Sequence, residues 1–187
     1  MARAGLDSTK VVDTAALIAD RDGLEALSLG GLARELSVKP PSLYNHVANL
    51  EALQRALYLK GLVLLDERLQ RVAVGKSGPD ALRALASAYR EFAKTHPGLY
   101  TATLRTVEDR DDEIKQAGYR VLETFQAVLA GFGLEGDAAL HATRAVRAAV
   151  SGFVELELRG SFGMPLNVEE SFEYVLELLV GGLESER

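Results

Sequence analysis

At 187 residues the chain can bury one good core, and an apolar content of 48% excludes a disordered polymer. The absence of cysteine excludes disulfides, thiol catalysis and cysteine-ligated metals. A net charge of −6 argues against a strongly basic nucleic-acid binder, yet residues 1–60 hold seven basic and seven acidic groups, so the whole excess lies beyond them.

Apolar spacing is helical nearly throughout, with no convincing strand, which predicts an all-α fold of about nine helices. Asp7 or Ser8 caps a first helix with Val11, Ala15 and Ile18 on one face, and Gly23 stops it. Ser28 caps a second helix, Leu29 to Leu36. Gly30 and Gly31 inside it cost about 1 kcal/mol each against Ala, and close approach of another backbone would explain them. A third helix starts at Pro40–Pro41 and ends near Val47.

The stretch "ANLEAL" opens a long fourth helix with Leu50, Leu53, Leu57 and Leu64 on one side, running to about Val74. Pro79 suits the first turn of the fifth, whose stripe is Leu82, Leu85, Ala86, Tyr89, Phe92 and Ala93. "THPG" stops it, and a short sixth helix holds Leu99, Tyr100 and Leu104. "EDRDDE" is a solvated acidic start for the seventh, where carboxylates suit the helix dipole. Ile114, Val121, Leu122, Phe125 and Leu129 form its apolar face. The eighth, about Ala138 to Arg159, is rich in small residues. Asn167 and Glu170 have capping-box spacing for the ninth, which carries Phe172, Val175, Leu176, Leu179 and Leu183.

Chemistry of the enzymatic kind finds little support. There is no Gly-rich phosphate loop, nucleophile elbow or metal cluster, and His46, His96 and His141 lack zinc-site spacing. No cofactor is implied. No apolar run reaches the ~18 residues a membrane span needs, and the N-terminus lacks a signal-peptide core, so a cytoplasmic protein without a membrane partner is expected.

Residues Leu32 to Val47, "LARELSVKPPSLYNHV", stand apart. In a helix beginning at Pro40, successive residues turn by about 100°, so Leu43 and Val47 share a face and bury toward Leu32, Leu36 and the first helix. Pro41, Ser42 and Asn45 point away, flanked by Tyr44 and His46. Prolines in a first turn cost little, because those N–H groups lack intrahelical partners. Helix, tight turn and polar second helix is the layout of a helix-turn-helix that enters the DNA major groove. Plain packing uses the same layout.

The segment "LARELSVKPPSLYNHVANLEAL" resembles the helix-turn-helix of the tetracycline-repressor (TetR) family of bacterial transcription regulators. Leu32–Ala33, Val38, Leu43–Tyr44, His46–Val47 and Leu53 match its pattern, and "THPGLY" recurs in the family. The resemblance is specific over residues 8–60 and covers the rest in layout. Two positions depart from it: the turn glycine is Ser37, and the lysine opening the fourth helix is Leu50.

The resemblance implies a DNA-binding domain at 1–48 and a helical effector-binding and dimerisation domain at 49–187. It implies a ligand-responsive regulator, a repressor, that grips a palindromic operator as a homodimer and releases it when a small molecule binds the C-terminal domain. Ser28 and Tyr44 become candidates for phosphate contacts, and Lys39 for phosphate or a guanine edge. Ser42, Asn45 and His46 become candidates for base edges and Pro41 for a thymine methyl; Arg3 and Lys10 reach toward the backbone.

Two expectations follow for the remainder. Ala142, Ala145, Ala149 and Gly152, with Phe172, Leu176, Leu179 and Leu183, are the candidate dimer contact, the alternative being that both faces bury within the monomer. Tyr89, Phe92, Tyr100, Thr103, Tyr119, Leu122, Gln126, Arg147 and Ser151 are the candidate effector pocket; an aromatic core with self-satisfied polar groups is the plainer reading. The rival function is a helical ligand-binding or interaction protein whose DNA binding is weak or lost, favoured by Leu50 and the acidic balance.

Overall fold

A computed structural model of the protein describes residues 6–104 and 111–185. Among these, the regular elements are helices: α1 (Ser8–Asp22), α2 (Leu29–Glu35), α3 (Pro40–Leu43), α4 (Leu50–Ala73), α5 (Gly78–Thr95), α6 (Pro97–Thr103), α7 (Asp112–Ala130), α8 (Gly136–Leu158) and α9 (Val168–Ser185). A short 3-10 turn at Leu24–Ala26 joins α1 to α2. No helix among the described residues is long and apolar enough to cross a membrane.

Local chemistry sets the ends. The Asp7 carboxylate accepts the Lys10 N–H at 2.7 Å and starts α1, and Gly23, at φ 91°, closes it with its N–H on the Ala19 carbonyl. Asn49 accepts the Ala52 N–H at 2.8 Å to open α4, and Asn167 accepts the Glu169 N–H at 2.9 Å to open α9. Each such cap contributes about 1 kcal/mol.

By its contacts the chain divides into two compact units, Met1–Val63 with Thr95–Ile114, and Leu64–Lys94 with Lys115–Arg187. The expected boundary after residue 48 falls inside the first unit, and α6 groups with the N-terminal helices. In that unit Val11, Ala15, Leu32, Leu43, Leu53, Leu57, Leu99 and Tyr100 form the core. In the second, Leu82, Leu85, Phe92, Phe125, Leu129, Val150, Phe172 and Leu176 are buried.

The α4 stripe differs from expectation. Leu53 and Leu57 are fully buried, Leu50 and Leu64 are half-buried, and Leu65 takes the inner place. Steps of four residues from Leu53 pass through Leu57 and Gly61 to Leu65 and Leu69, which keeps one stripe inward along a long helix.

The acidic run before α7 also differs. Glu108, Asp109 and Arg110 lie outside the described residues. Asp111 and Glu113 converge on Arg55 of α4 instead of standing free in solvent: Asp111 Oδ2 is 2.5 Å from Nε, and Glu113 Oε2 is 2.8 Å from Nη2. The Arg55 hydrogen bond holds the Asp111 carboxyl below its usual range.

Candidate nucleic-acid interface

The segment between α2 and α4 is built from its caps inward. Ser28 Oγ accepts the Gly31 N–H at 3.1 Å, and its own O–H remains a donor at an exposed position. The two glycines answer to no neighbouring backbone, contrary to expectation. Gly30 has open space above it, and a Cβ at Gly31 would meet Ser28 Oγ at 3.0 Å, so that position leaves room for the cap.

Helix α2 ends in a Schellman turn. The Val38 N–H reaches the Ala33 carbonyl at 2.9 Å and the Ser37 N–H reaches that of Arg34 at 3.0 Å. Ser37 sits at φ 54°, the sole non-glycine with positive φ among the described residues. The same turn ends α8, where Gly160 at φ 64° fills the left-handed position. The position that departs from the family's glycine is therefore the strained one.

Lys39 then enters α3, with Pro40 and Pro41 in the first turn. The helix is shorter than expected, ending at Leu43, after which Tyr44–His46 form a turn. The direction continues, because His46 and Val47 both donate N–H groups to the Leu43 carbonyl, at 2.8 and 2.9 Å. Leu43 and Val47 are buried while Lys39, Pro41, Tyr44 and Asn45 are exposed, Tyr44 at 58%. Ser42 and His46 are half-buried.

Electrostatics sort the cations of this unit. Arg21 is bound to Asp22 and Glu35, Lys60 to Asp13, and Arg55 to Asp111 and Glu113. Lys10, Arg34 and Lys39 are exposed and have no ion-pair partner among the described residues. A balance of zero thus leaves free positive groups in the unit that carries the polar turn. Arg34 was not singled out by sequence; its place in the last turn of α2, one step before the Schellman turn, is the signal that points to it. Arg3 lies outside the described residues.

The candidate pocket residues are divided between the two units. Tyr100 and Thr103 belong to the first unit, where Thr103 Oγ1 donates to the Tyr100 carbonyl at 2.7 Å. In the second unit Tyr89 and Phe92 are buried, and the Tyr89 hydroxyl lies 3.0 Å from Ser151 Oγ, edge-on to Phe125. Tyr119 is 61% exposed, Gln126 and Arg147 are exposed and Leu122 is half-buried. The inward face of α7 is Ala117, Val121, Thr124, Phe125 and Val128, and Tyr119 and Gln126, two turns apart, lie opposite it. Sequence reading missed the buried polar group at this place: Asp66 accepts the Thr124 hydroxyl at 2.9 Å and the Gln70 amide at 3.0 Å.

Of the candidate dimer residues, Phe172, Leu176 and Leu183 are buried within the protomer, so much of the apolar face of α9 is internal. Ala145 and Gly152 are exposed; Ala142, Ala149 and Leu179 are half-buried. An open groove of about 570 Å³ runs between α8 and α9, lined by Ala142, Ala145, Leu179 and also His141, Leu178 and Gly182. Leu178 is 60% exposed.

Residues 82–179 match the model of the tetracyclin repressor-like C-terminal domain. The HTH-type transcriptional regulator YobS of Bacillus subtilis is 35% identical over 181 residues, covering 97% of this chain and 94% of YobS. The HTH-type regulator Rv0681 of Mycobacterium tuberculosis is also 35% identical, over 97% of this chain and 83% of its own. Among solved structures, a TetR variant from Acinetobacter baumannii AYE in complex with minocycline is 26% identical, with a TM-score of 0.72 over 98% of this chain and 99% of that one.

Proposed function

Because the chain belongs to the TetR family of HTH-type transcription regulators, we propose that it grips a palindromic DNA operator as a homodimer and represses until a small molecule releases it. The observation that carries this reading is the two-sided turn at Lys39–Val47, aliphatic groups inward and polar groups outward.

In this reading Ser42, Asn45 and His46 meet base edges and Pro41 a thymine methyl, while Ser28, Tyr44, Lys39, Lys10 and Arg34 hold phosphates and set register. One short turn reads few base pairs. A two-fold copy reads the other half-site, about 34–36 Å away if one DNA turn separates them. The groove between α8 and α9, with exposed Leu178, Ala145 and Gly152, is the surface we assign to the partner copy. Phe172, Leu176 and Leu183 support it from beneath.

The solved relative from A. baumannii holds minocycline. For this chain we assign the effector to the helices of the second unit, with Tyr89 and Ser151 as polar contacts beside Phe92. Tyr119, Gln126 and Arg147 take no part from their exposed positions. The effector shifts an equilibrium between gripping and released forms by its differential affinity for them. The protein works in the cytoplasm, where its DNA is.

Selection of bound fragments from random DNA tests the reading. The expected product is an inverted repeat bound by a dimer, with affinity falling steeply as salt rises. Absence of any enriched sequence would favour a helical ligand-binding protein that has lost DNA binding, in keeping with the uncharged Leu50 at the start of α4.

A further inference from the structure

Asp20 sits in the last turn of α1, where the helix dipole disfavours a carboxylate. Its side chain is 15% exposed. Oδ1 accepts the N–H groups of Gly98 and Leu99, at 2.9 and 3.1 Å, and Oδ2 lies 2.9 Å from His96 Nδ1. These are the first donors of α6, whose own entry residue His96 supplies no side-chain cap. The end of one helix thus caps the start of another, and the two dipoles meet head to tail through one carboxylate.

The close fit has a steric counterpart. A Cβ at Gly98 would lie 2.2 Å from the Ala19 carbonyl carbon and 2.6 Å from the Asp20 backbone nitrogen, so only glycine lets α6 touch α1. A second glycine serves the other side of α6: a Cβ at Gly61 of α4 would meet Thr103 Cγ2 at 2.8 Å and the Leu99 carbonyl at 3.0 Å. Helix α6 is therefore held against both α1 and α4, and α1 carries α2, which in turn carries α3. The "THPGLY" stretch is the lock: His96 and Gly98 meet Asp20 and α1, Pro97 opens the helix, and Leu99 and Tyr100 are buried.

We infer that Asp20 is a positioning residue through which α6 sets the geometry of the polar Lys39–Val47 turn. With the three bonds made, α1 is tied to α6 and holds α2 and α3 in the gripping form. With them broken, the turn loses its fixed relation to α6. The DNA half of this inference rests on the regulator reading; the mechanical half does not.

The test compares Asp20→Ala and Asp20→Asn in the full chain, by native-state amide exchange and by affinity for the duplex that the unaltered protein selects from random DNA. Asp20→Ala is expected to speed exchange at least tenfold at Gly98 and Leu99, and several-fold at Val38, His46 and Val47, leaving Ser171 of α9 unchanged. Duplex affinity falls at least tenfold. Asp20→Asn retains a carbonyl oxygen for both N–H groups and stays within about threefold of the unaltered protein.

Faster exchange confined to Gly98 and Leu99 would overturn the inference, leaving Asp20 a local cap. Equal damage by Asn and Ala would overturn it too. Should Asp20→Ala not fold, His96→Ala removes one bond to the same carboxylate and is read by the same criteria at smaller amplitude. If the unaltered protein selects no duplex, the regulator reading fails while the exchange pattern at His46 and Val47 still decides the mechanical claim.

Discussion

The Arg90 guanidinium forks across the Glu157 carboxylate, Nε to Oε2 at 2.6 Å and Nη2 to Oε1 at 2.8 Å, inside the otherwise apolar inner face of α5. The remaining nitrogen reaches Glu169 at 2.7 Å, and the ion stacks over Phe172 at 4.6 Å. Each of the three nitrogens of a nearly buried cation thus donates to a carboxylate.

Acid stability follows from that pair. The hydrogen bond from Arg90 holds the Glu157 carboxyl below its usual range. A depressed folded pKa contributes stability above the unfolded value, and that contribution fades as pH falls through the folded one. Thermal unfolding below about pH 4.5 should therefore show a loss that is absent in Arg90→Met/Glu157→Gln. At pH 7, Arg90→Met alone should cost about 3 kcal/mol, because Glu157 loses its two-pronged cation and keeps only Lys94, at 3.7 Å. An unchanged midpoint in urea would refute this.

The Schellman turn at Ser37 carries a cost that glycine would remove. A non-glycine in the left-handed region is disfavoured by roughly 1–2 kcal/mol, partly offset by the freedom glycine adds to the unfolded chain. Ser37→Gly should stabilise by about 1 kcal/mol, and Ser37→Val should destabilise. Both are read from denaturant unfolding, and a Ser37→Gly variant no more stable than the parent would contradict the strain.

Tyr44 and Asn45 stand on the exposed side of the turn, so their removal should spare the fold. Tyr44→Ala/Asn45→Ala is expected to change stability by no more than about 0.5 kcal/mol per site and to weaken binding of the selected duplex by more than about a hundredfold, since each protomer loses the Asn45 base-edge contact, about 1–3 kcal/mol, together with the Tyr44 phosphate contact. Loss of helicity in the circular dichroism spectrum would mark the pair as structural.

The free cations predict a salt dependence. Lys10, Arg34 and Lys39 on each of two protomers give a slope of log affinity against log salt of about −5. Lys39→Ala removes one phosphate contact per half-site and should flatten that slope by about 2. A slope that does not move would place Lys39 away from the phosphates, on a base edge.

Leu178 is the exposed aliphatic of the groove between α8 and α9. Leu178→Glu should shift the protein from dimer to monomer in sedimentation at micromolar concentration, while Leu176 and Phe172 keep the protomer folded. A dimer that survives the substitution would move the interface elsewhere.

What could be read from the chain alone was whatever depends on near neighbours in sequence. Asp7, Gly23, Ser28 and Asn167 act on backbone groups within four residues, so helix ends were legible, as were the burial of Leu43 and Val47 and the strained place at Ser37. Only the tertiary structure decided which long-range partner each side chain met. It placed α6 with the N-terminal helices through Asp20 and Gly98, drew Asp111 and Glu113 onto Arg55, turned Tyr119 and Gln126 outward, and buried Arg90 and Asp66 among groups that satisfy them. Such choices depend on pairs separated by tens of residues. Helical periodicity says that a face is apolar, and it carries no term for what that face will touch.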